Sequence, residues 1–322
     1  MTDNLVWETV PCDWCGATDE LTLFEGPDRL LHRPGRFRLV QCRVCGLMRQ
    51  NPRLAWESLQ TYYEGDYISY ASLIRDEPRA WRRLDRRYGM WKQMRVVERA
   101  KPGGGRLLDV GSGTGIFLEE ALRSRRWQVM GVEPTEAAAR YSAKALGCEV
   151  VTGRFSEVQL PEADFDVITL WNVIEHLPSP TADLRRACQL LRPDGRLVFT
   201  VPNVESVEAR VFGRHWVGWD LPRHLYLFPR ATLHHMLRGL GLEIEFEACI
   251  SSSHSALRDT LEFWSQAWSS GFGRFRQPMR TLYNSLPARL ALGPPFWLLD
   301  RLKRSTILTL VVRKATPPLE RA

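Results

Sequence analysis

The sequence predicts an α/β fold in which a mainly parallel sheet is covered by helices on both faces. Three observations carry this. From Arg106 onward, apolar strand-like runs alternate with amphipathic helical stretches. A glycine-rich turn, "GSGTG" at 111–115, joins the first run to the first helix. Just ahead, "KPGGG" at 101–105 breaks the chain, so the alternation begins as a new unit.

Two regions precede that break. Residues 1–50 carry two C-x-x-C pairs, and residues 51–100 are rich in aromatics and arginine, with a helical pattern from Glu77 to Ala100. After it, "RLLDV" reads as a strand, "GIFLEEALRSR" as a helix, "WQVMGVE" as a strand and "TEAAARYSAKALG" as a helix closed by Gly147. "CEVVTG" and "FDVITLWN" are strands, "TADLRRACQLLRPDG" a helix closed by a turn, and "RLVFTVPN" a fifth strand. The helix "RATLHHMLRGLG" leads into "LEIEFEACI", and "STILTLVVRK" is the last strand. This organisation gives three parts: a cysteine module over 1–50, a helical linker or cap over 51–100, and the α/β domain over 101–322 with an insertion at 251–304.

Length and composition narrow the class. The 322 residues, 44% hydrophobic and 25% charged, suffice for a large core and one small module. No run approaches the roughly 18 consecutive apolar residues of a membrane span. The opening "MTDNLVWETVPCDWCG" lacks a basic start followed by an apolar stretch, so a cytoplasmic protein is expected. The net charge of +7 suits an anionic partner such as nucleic acid, acidic lipid or a phosphate-bearing substrate, or else a solvated basic surface. Cys148, Cys188 and Cys249 stand alone in apolar contexts and read as small core residues.

The turn at 111–115 offers backbone N–H groups at a helix start. A dinucleotide fingerprint needs glycine or alanine five residues after the first glycine, and from Gly111 that residue is Ile116. Asp109 beside the turn would repel a pyrophosphate and would suit a ligand with its own positive charge. S-adenosylmethionine, with an ammonium, a sulfonium and no phosphate, is such a ligand. Here "LLDVGSGTG" resembles the first motif of class I S-adenosylmethionine-dependent methyltransferases. "FDVITLWNVIEHLPSP" and "LLRPDGRLVFTVPN" resemble segments of the subgroup that includes ubiquinone-biosynthesis O-methyltransferases. The resemblance implies a Rossmann-like seven-stranded sheet whose last strand is antiparallel and inserted beside the fifth. It also implies that Asp109, Gly111, Ser112, Gly113 and Gly115 surround the cofactor, that Glu133 accepts from its ribose hydroxyls, and that Asn172 lies near it. Where the family places an acidic residue near the adenine, this chain has Gly153-Arg154-Phe155, so Phe155 is the candidate to stack there.

Methyl transfer to oxygen benefits from a base, often histidine. "NVIEHL" follows the fourth strand, at the sheet edge where ligands bind, which makes Glu175 and His176 candidates. His176 is either functional, or a cap of the next helix, or a contact to the cofactor through its backbone. Asn172 stands where related quinone enzymes carry a glutamate that, with the Glu-His pair, can hold a divalent metal, so the resemblance argues against a metal at the chemistry here. "HWVGWDLPRHLYLFPR" at 215–230 resembles the segment that closes over the acceptor. His224 is its candidate base and Tyr226 a positioning hydroxyl, the alternative being a structural histidine among core aromatics. No Asn-Pro-Pro-Tyr run follows the fourth strand, which argues against methylation of exocyclic amines.

Cys12, Cys15, Cys42 and Cys45 form two C-x-x-C-G knuckles, 26 residues apart between Cys15 and Cys42. Two such knuckles suit a tetrahedral structural zinc with no open position. The module resembles a zinc ribbon of the kind that precedes methyltransferase domains linked to sugar and cell-envelope products, and that occurs in a ribosomal-RNA methyltransferase family. In such proteins the following tyrosines lie over the cofactor pocket, which makes Tyr62, Tyr63 and Tyr67 candidates, the alternative being ordinary packing. The insertion at 251–304 mixes tryptophan and leucine with arginine and lysine. It is either a helix resting on a membrane interface or a lid or dimer contact. The leading expectation is O-methylation of a small-molecule, sugar or lipid-linked glycan acceptor. The alternatives are an RNA methyltransferase that grips phosphates with the ribbon and basic helix, and a non-catalytic cofactor-binding scaffold.

Overall fold

In the computed structural model, residues 5–63, 73–250, 253–266, 283 and 285–315 are described. The N-terminal part holds β1 (Trp7–Glu8), β2 (Glu20–Gly26), β3 (Phe37–Cys42), β4 (Met48–Gln50) and β5 (Arg53–Leu54), followed by the short helix α1 (Trp56–Gln60) and a 3-10 turn at Thr61–Tyr63. A 3-10 turn at Ile74–Asp76 and an extended Glu77 precede Pro78, and α2 then runs over Ala80–Ala100.

The α/β domain begins with β6 (Gly105–Val110), α3 (Ile116–Arg123), β7 (Trp127–Glu133), α4 (Glu136–Leu146), β8 (Glu149–Thr152) and β9 (Phe165–Leu170). It continues with α5 (Pro180–Leu190), β10 (Leu191–Pro202), α6 (Val207–Phe212), β11 (Tyr226–Leu227), α7 (Arg230–Gly239) and β12 (Leu242–Ala248). The insertion contributes α8 (Ser253–Gln266) and α9 (Leu286–Arg301), and β13 (Ile307–Lys314) follows. One expected boundary moves. The helix expected over 181–195 stops at Leu190, because Leu191 pairs with Phe165 and residues 192–195 loop out of register within β10.

The main sheet has seven strands in the order β12-β13-β10-β9-β6-β7-β8. Its pairs are parallel except those of β13, which runs antiparallel between β10 and β12. This is the Rossmann-like arrangement the motifs imply. Alternate residues of the central strands feed two apolar layers. Leu107, Val167 and Val198 pack with Met94 and Val97 of α2 and with Phe117 and Leu118 of α3. Leu108, Ile168 and Phe199 pack with Leu184 of α5 and Leu233 of α7. Truncating any one of these leucines to alanine would cost about 2–5 kcal/mol.

The cysteine module is not a separate bead. Its sheet runs β11-β4-β3-β2, so a strand contributed by the α/β domain completes it. Tyr226 pairs with Arg49 and Leu227 with Met48. Phe37, Leu47 and Tyr62 belong to the same buried cluster as Leu225, Tyr226 and Leu108.

Candidate active site

The carboxyl ends of β6, β7 and β9 open onto a cleft of ≈ 1350 Å³. Gly111, Ser112 and Gly113 form its floor, and Asp109 and Glu133 sit on adjacent strand ends beside them. The turn needs glycine for stereochemistry. Gly111 has φ +68°, and a Cβ there would lie 2.6 Å from Val173 Cγ2. Gly115 behaves differently from expectation. It does not line the cleft; at φ +86° it brings the start of α3 against α4, where a Cβ would lie 2.2 Å from Ser142 Oγ.

Both carboxyls are desolvated. Burial pushes Asp109 up to about 7, with Glu133 adding to the rise, while a 2.7 Å hydrogen bond donated by Thr169 opposes it. Burial likewise raises Glu133, although the N–H groups of Gly113 and Thr135 donate to it at 2.8 and 2.9 Å. Two acids held above their ordinary range beside a cleft gain from a cationic ligand, so the donor set fits S-adenosylmethionine. The sign of the linkage follows. In the free protein Asp109 holds its proton below about pH 7, whereas a bound cation favours the charged form. Affinity for S-adenosylmethionine therefore rises with pH, roughly tenfold per unit below that point, and levels off above it. Titration calorimetry from pH 6 to 8, in buffers of different ionisation heat, detects the released proton; a constant Kd would contradict the assignment. The unliganded fold carries the opposite dependence, since the raised carboxyl stabilises it at low pH and less as pH climbs through about 7.

Phe155 is buried and lines the cleft near Arg154 and Ser156. Asn172 also lines it, at φ +54°, with its N–H donating to Thr200 Oγ1 at 2.7 Å. Tyr62 does not reach it. Its hydroxyl donates to Pro34 O at 2.5 Å and its ring packs on Phe37, so it is a seam residue, and the next residue, Tyr63, lines the cleft instead. Tyr67 lies outside the described residues.

The other end of the cleft is built around two histidines. His176 and His224 both line the cleft, with ring centroids 4.7 Å apart and nearly perpendicular planes. His176 Nδ1 lies 2.9 Å from Arg223 O, and His224 Nδ1 lies 2.8 Å from Gly218 O. A carbonyl oxygen can only accept, so each Nδ1 carries the hydrogen and each Nε2 keeps a lone pair. Burial lowers both rings, His176 to about 3 with help from His224, so both are neutral at pH 7. Tyr63 Oη lies 3.0 Å from His176 Nδ1.

Asp220, which no sequence motif singles out, lines the cleft 4.0 Å from His224 Nε2. Burial works to raise it, but the Arg223 guanidinium 2.7 Å away holds its carboxyl below the usual range. Arg223 is fully buried and also donates to Asp28, just beyond β2, at 2.7 Å. Asp28, Arg223, Asp220 and His224 thus form a continuous polar chain from the cysteine module to the cleft.

Two expected catalytic groups lie elsewhere. Tyr226 is buried in β11, where its hydroxyl donates to Pro178 O at 3.2 Å and accepts from Arg53 at 3.0 Å, so it fastens the seam and does not line the cleft. Glu175 sits beneath the histidines, with no hydrogen-bond partner for either carboxyl oxygen, and burial pushes it up to about 8. Donor atoms of Glu175, His176 and His224 lie within 4.8 Å of one another, an arrangement that could take a divalent cation, although the Glu175 carboxyl keeps its proton at neutral pH.

The four cysteines of the N-terminal knuckles converge. Cys12 and Cys45 sulfurs are 3.4 Å apart, those of Cys15 and Cys42 are 3.5 Å apart, and all four lie within 4.8 Å. Gly16 and Gly46, both at positive φ, return their N–H groups to Cys12 O and Cys42 O and shape each knuckle.

Residues 80–246 match the methyltransferase domain family. The chain is similar to a ubiquinone biosynthesis O-methyltransferase of Thiobacillus denitrificans, 31% identical over 163 residues, 47% of this chain and 69% of the relative. Another such enzyme, of Stutzerimonas stutzeri, is 30% identical over 144 residues, 42% of this chain and 61% of its own length. Among solved structures, an S-adenosylmethionine-dependent methyltransferase from Mesorhizobium loti aligns with TM-score 0.46 at 16% identity, covering 69% of this chain and 97% of that one. A phosphoethanolamine N-methyltransferase of Haemonchus contortus, bound to S-adenosylhomocysteine, aligns with TM-score 0.46 at 16% identity, covering 70% and 53%. On the family match over 80–246 and the seven-stranded order with its antiparallel β13, the chain belongs to the class I S-adenosylmethionine-dependent methyltransferases.

Proposed function

We propose that this methyltransferase acts on oxygen, methylating a hydroxyl of a small-molecule, sugar or lipid-linked glycan acceptor. The observation that carries this reading is the pair of neutral imidazoles at the cleft, each with Nδ1 engaged by a backbone carbonyl. A hydroxyl is a poor nucleophile at neutral pH and gains most from such a base. The relatives named as ubiquinone biosynthesis O-methyltransferases support the same chemistry.

When bound, S-adenosylmethionine supplies a methyl carbon on a cationic sulfur, open to in-line displacement. Asp109 and Glu133 hold the charged and hydroxyl-bearing parts of that ligand, over the floor of Gly111, Ser112 and Gly113. His224 Nε2 takes the acceptor proton, and Asp220 stabilises the imidazolium that results. His176 braces the His224 ring edge-on, while Trp56, Tyr63 and Trp171 wall the cleft against water. Cys12, Cys15, Cys42 and Cys45 hold a structural zinc. The Zn–S distance of about 2.3 Å gives tetrahedral sulfur separations of roughly 3.8 Å, close to those present.

Carbon-13 methyl-labelled S-adenosylmethionine, offered with phenols, hydroxylated sugars and lipid-linked glycans, distinguishes the possibilities by NMR. An O-methyl resonance supports the reading. Label on nitrogen or carbon, or in no product, removes it.

A further inference from the structure

Helix α2 has two apolar stripes, and the domain uses one of them. Met94 and Val97 bury into the core beside Phe117 and Leu118. About 130° round the helix, Trp81, Leu84, Tyr88 and Trp91 form a second stripe, 48%, 71%, 57% and 45% exposed. Across a groove of ≈ 1630 Å³, α9 presents Leu290 and Trp297, 68% and 59% exposed. An isolated exposed leucine needs no explanation, but two facing helices each showing large apolar side chains do.

The cations are arranged around these rings. Lys92 lies over Tyr88, Arg95 over Trp91 and Arg301 over Trp297, with distances to the ring centroids of 5.2, 5.4 and 4.8 Å. Residues 79–100 contain eight arginines and lysines against two acids, so this stretch accounts for six of the chain's seven net positive charges. Amphipathic aromatics with basic neighbours favour the boundary between lipid headgroups and acyl chains, and the basic charge adds attraction to anionic lipid. The groove is also continuous with the active site, since Met90 and Ile116 line both. Among the described residues no helix is long and apolar enough to cross a membrane, so contact of this kind would be peripheral.

We propose that α2 and α9 form a docking face for the surface of a bilayer containing anionic lipid, with the Met90–Ile116 end of the cleft turned towards it. The proposal is independent of which acceptor atom is methylated.

Co-sedimentation of the full-length protein with phosphatidylglycerol–phosphatidylcholine vesicles, compared with phosphatidylcholine alone, tests it. Partitioning should be at least roughly tenfold stronger on the anionic vesicles and should weaken as salt rises. W91A/W297A should reduce it by roughly tenfold, with circular dichroism and melting unchanged because both rings are exposed. R82E/R95E should abolish the preference for anionic lipid. Absence of binding to anionic vesicles at low salt would overturn the proposal. So would unaltered binding by W91A/W297A, or a dimer in light scattering that this variant splits while vesicles capture neither form.

Discussion

His224→Ala lowers kcat by roughly 10²–10⁴-fold, while the Kd for S-adenosylmethionine changes little. The ring lines one end of the cleft, and the carboxylates proposed to hold the cofactor, Asp109 and Glu133, lie on β6 and β7. Burial holds the wild-type imidazole below its ordinary range, so the base stays neutral and active somewhat below pH 6.5. Activity should fall only on the acid side of that lowered value, and the variant should lose this limb. Asp220→Asn gives a second signature. The Asp220 carboxylate raises His224, so its removal moves the acid limb to lower pH while reducing kcat. Stopped assays across pH, with His176→Ala beside His224→Ala, read both effects. A larger loss from His176→Ala exchanges the two roles, and unchanged kcat in both leaves catalysis to positioning alone.

Removing the zinc proposed at Cys12, Cys15, Cys42 and Cys45 should disable the active site as well as the module. Structural zinc in small domains contributes about 10–16 kcal/mol of apparent binding free energy to folding. Here the loss propagates, because Gln50 donates to Pro222 O and His224 O at 2.8 and 2.7 Å, and Asp28 pairs with the buried Arg223. A loosened module would leave Arg223 and Asp220 buried without their third partner, and breaking a buried charged network by one member costs about 3–5 kcal/mol. The expected result for C42S, or for chelator-treated protein, is a lower melting temperature and at least a hundredfold fall in kcat/KM, about 2.7 kcal/mol or more of transition-state binding. Metal content by mass spectrometry supplies the check. Metal-free protein with full activity would sink the idea.

Much of the α/β domain was legible because its signals are local or periodic. The alternation of strands and helices marks the sheet, and the glycine turn with Asp109 and Glu133 marks one end of the cleft. The misplacements have a shared cause. Tyr62 and Tyr63 are adjacent in a 3-10 turn, and a one-residue rotation decides which ring enters the cleft and which packs on Phe37. Tyr226 flanks the right loop, yet its side chain points into the seam with the cysteine module, whose pairing with β11 leaves no periodic trace in two residues, and Glu175 is buried beneath the histidine that follows it. Asp220 could have been found as the one acid in an otherwise aromatic and basic segment, but its tie to Asp28 spans most of the chain. Gly115 matched a motif position whose backbone requirement is real, and it packs against α4 instead of lining the cleft.

The pairing of Tyr226 with Arg49 also bears on synthesis. The cysteine module leaves the ribosome ahead of β11, so the edge of its sheet cannot be closed until residue 227 has emerged. During translation β4 therefore offers an open edge for most of the chain's length, and the neighbouring polar residues Gln50 and Arg53 must stay hydrated until their late-arriving carbonyl partners come. Any shuffling of this module onto another enzyme would have to bring along a substitute for those two residues of strand.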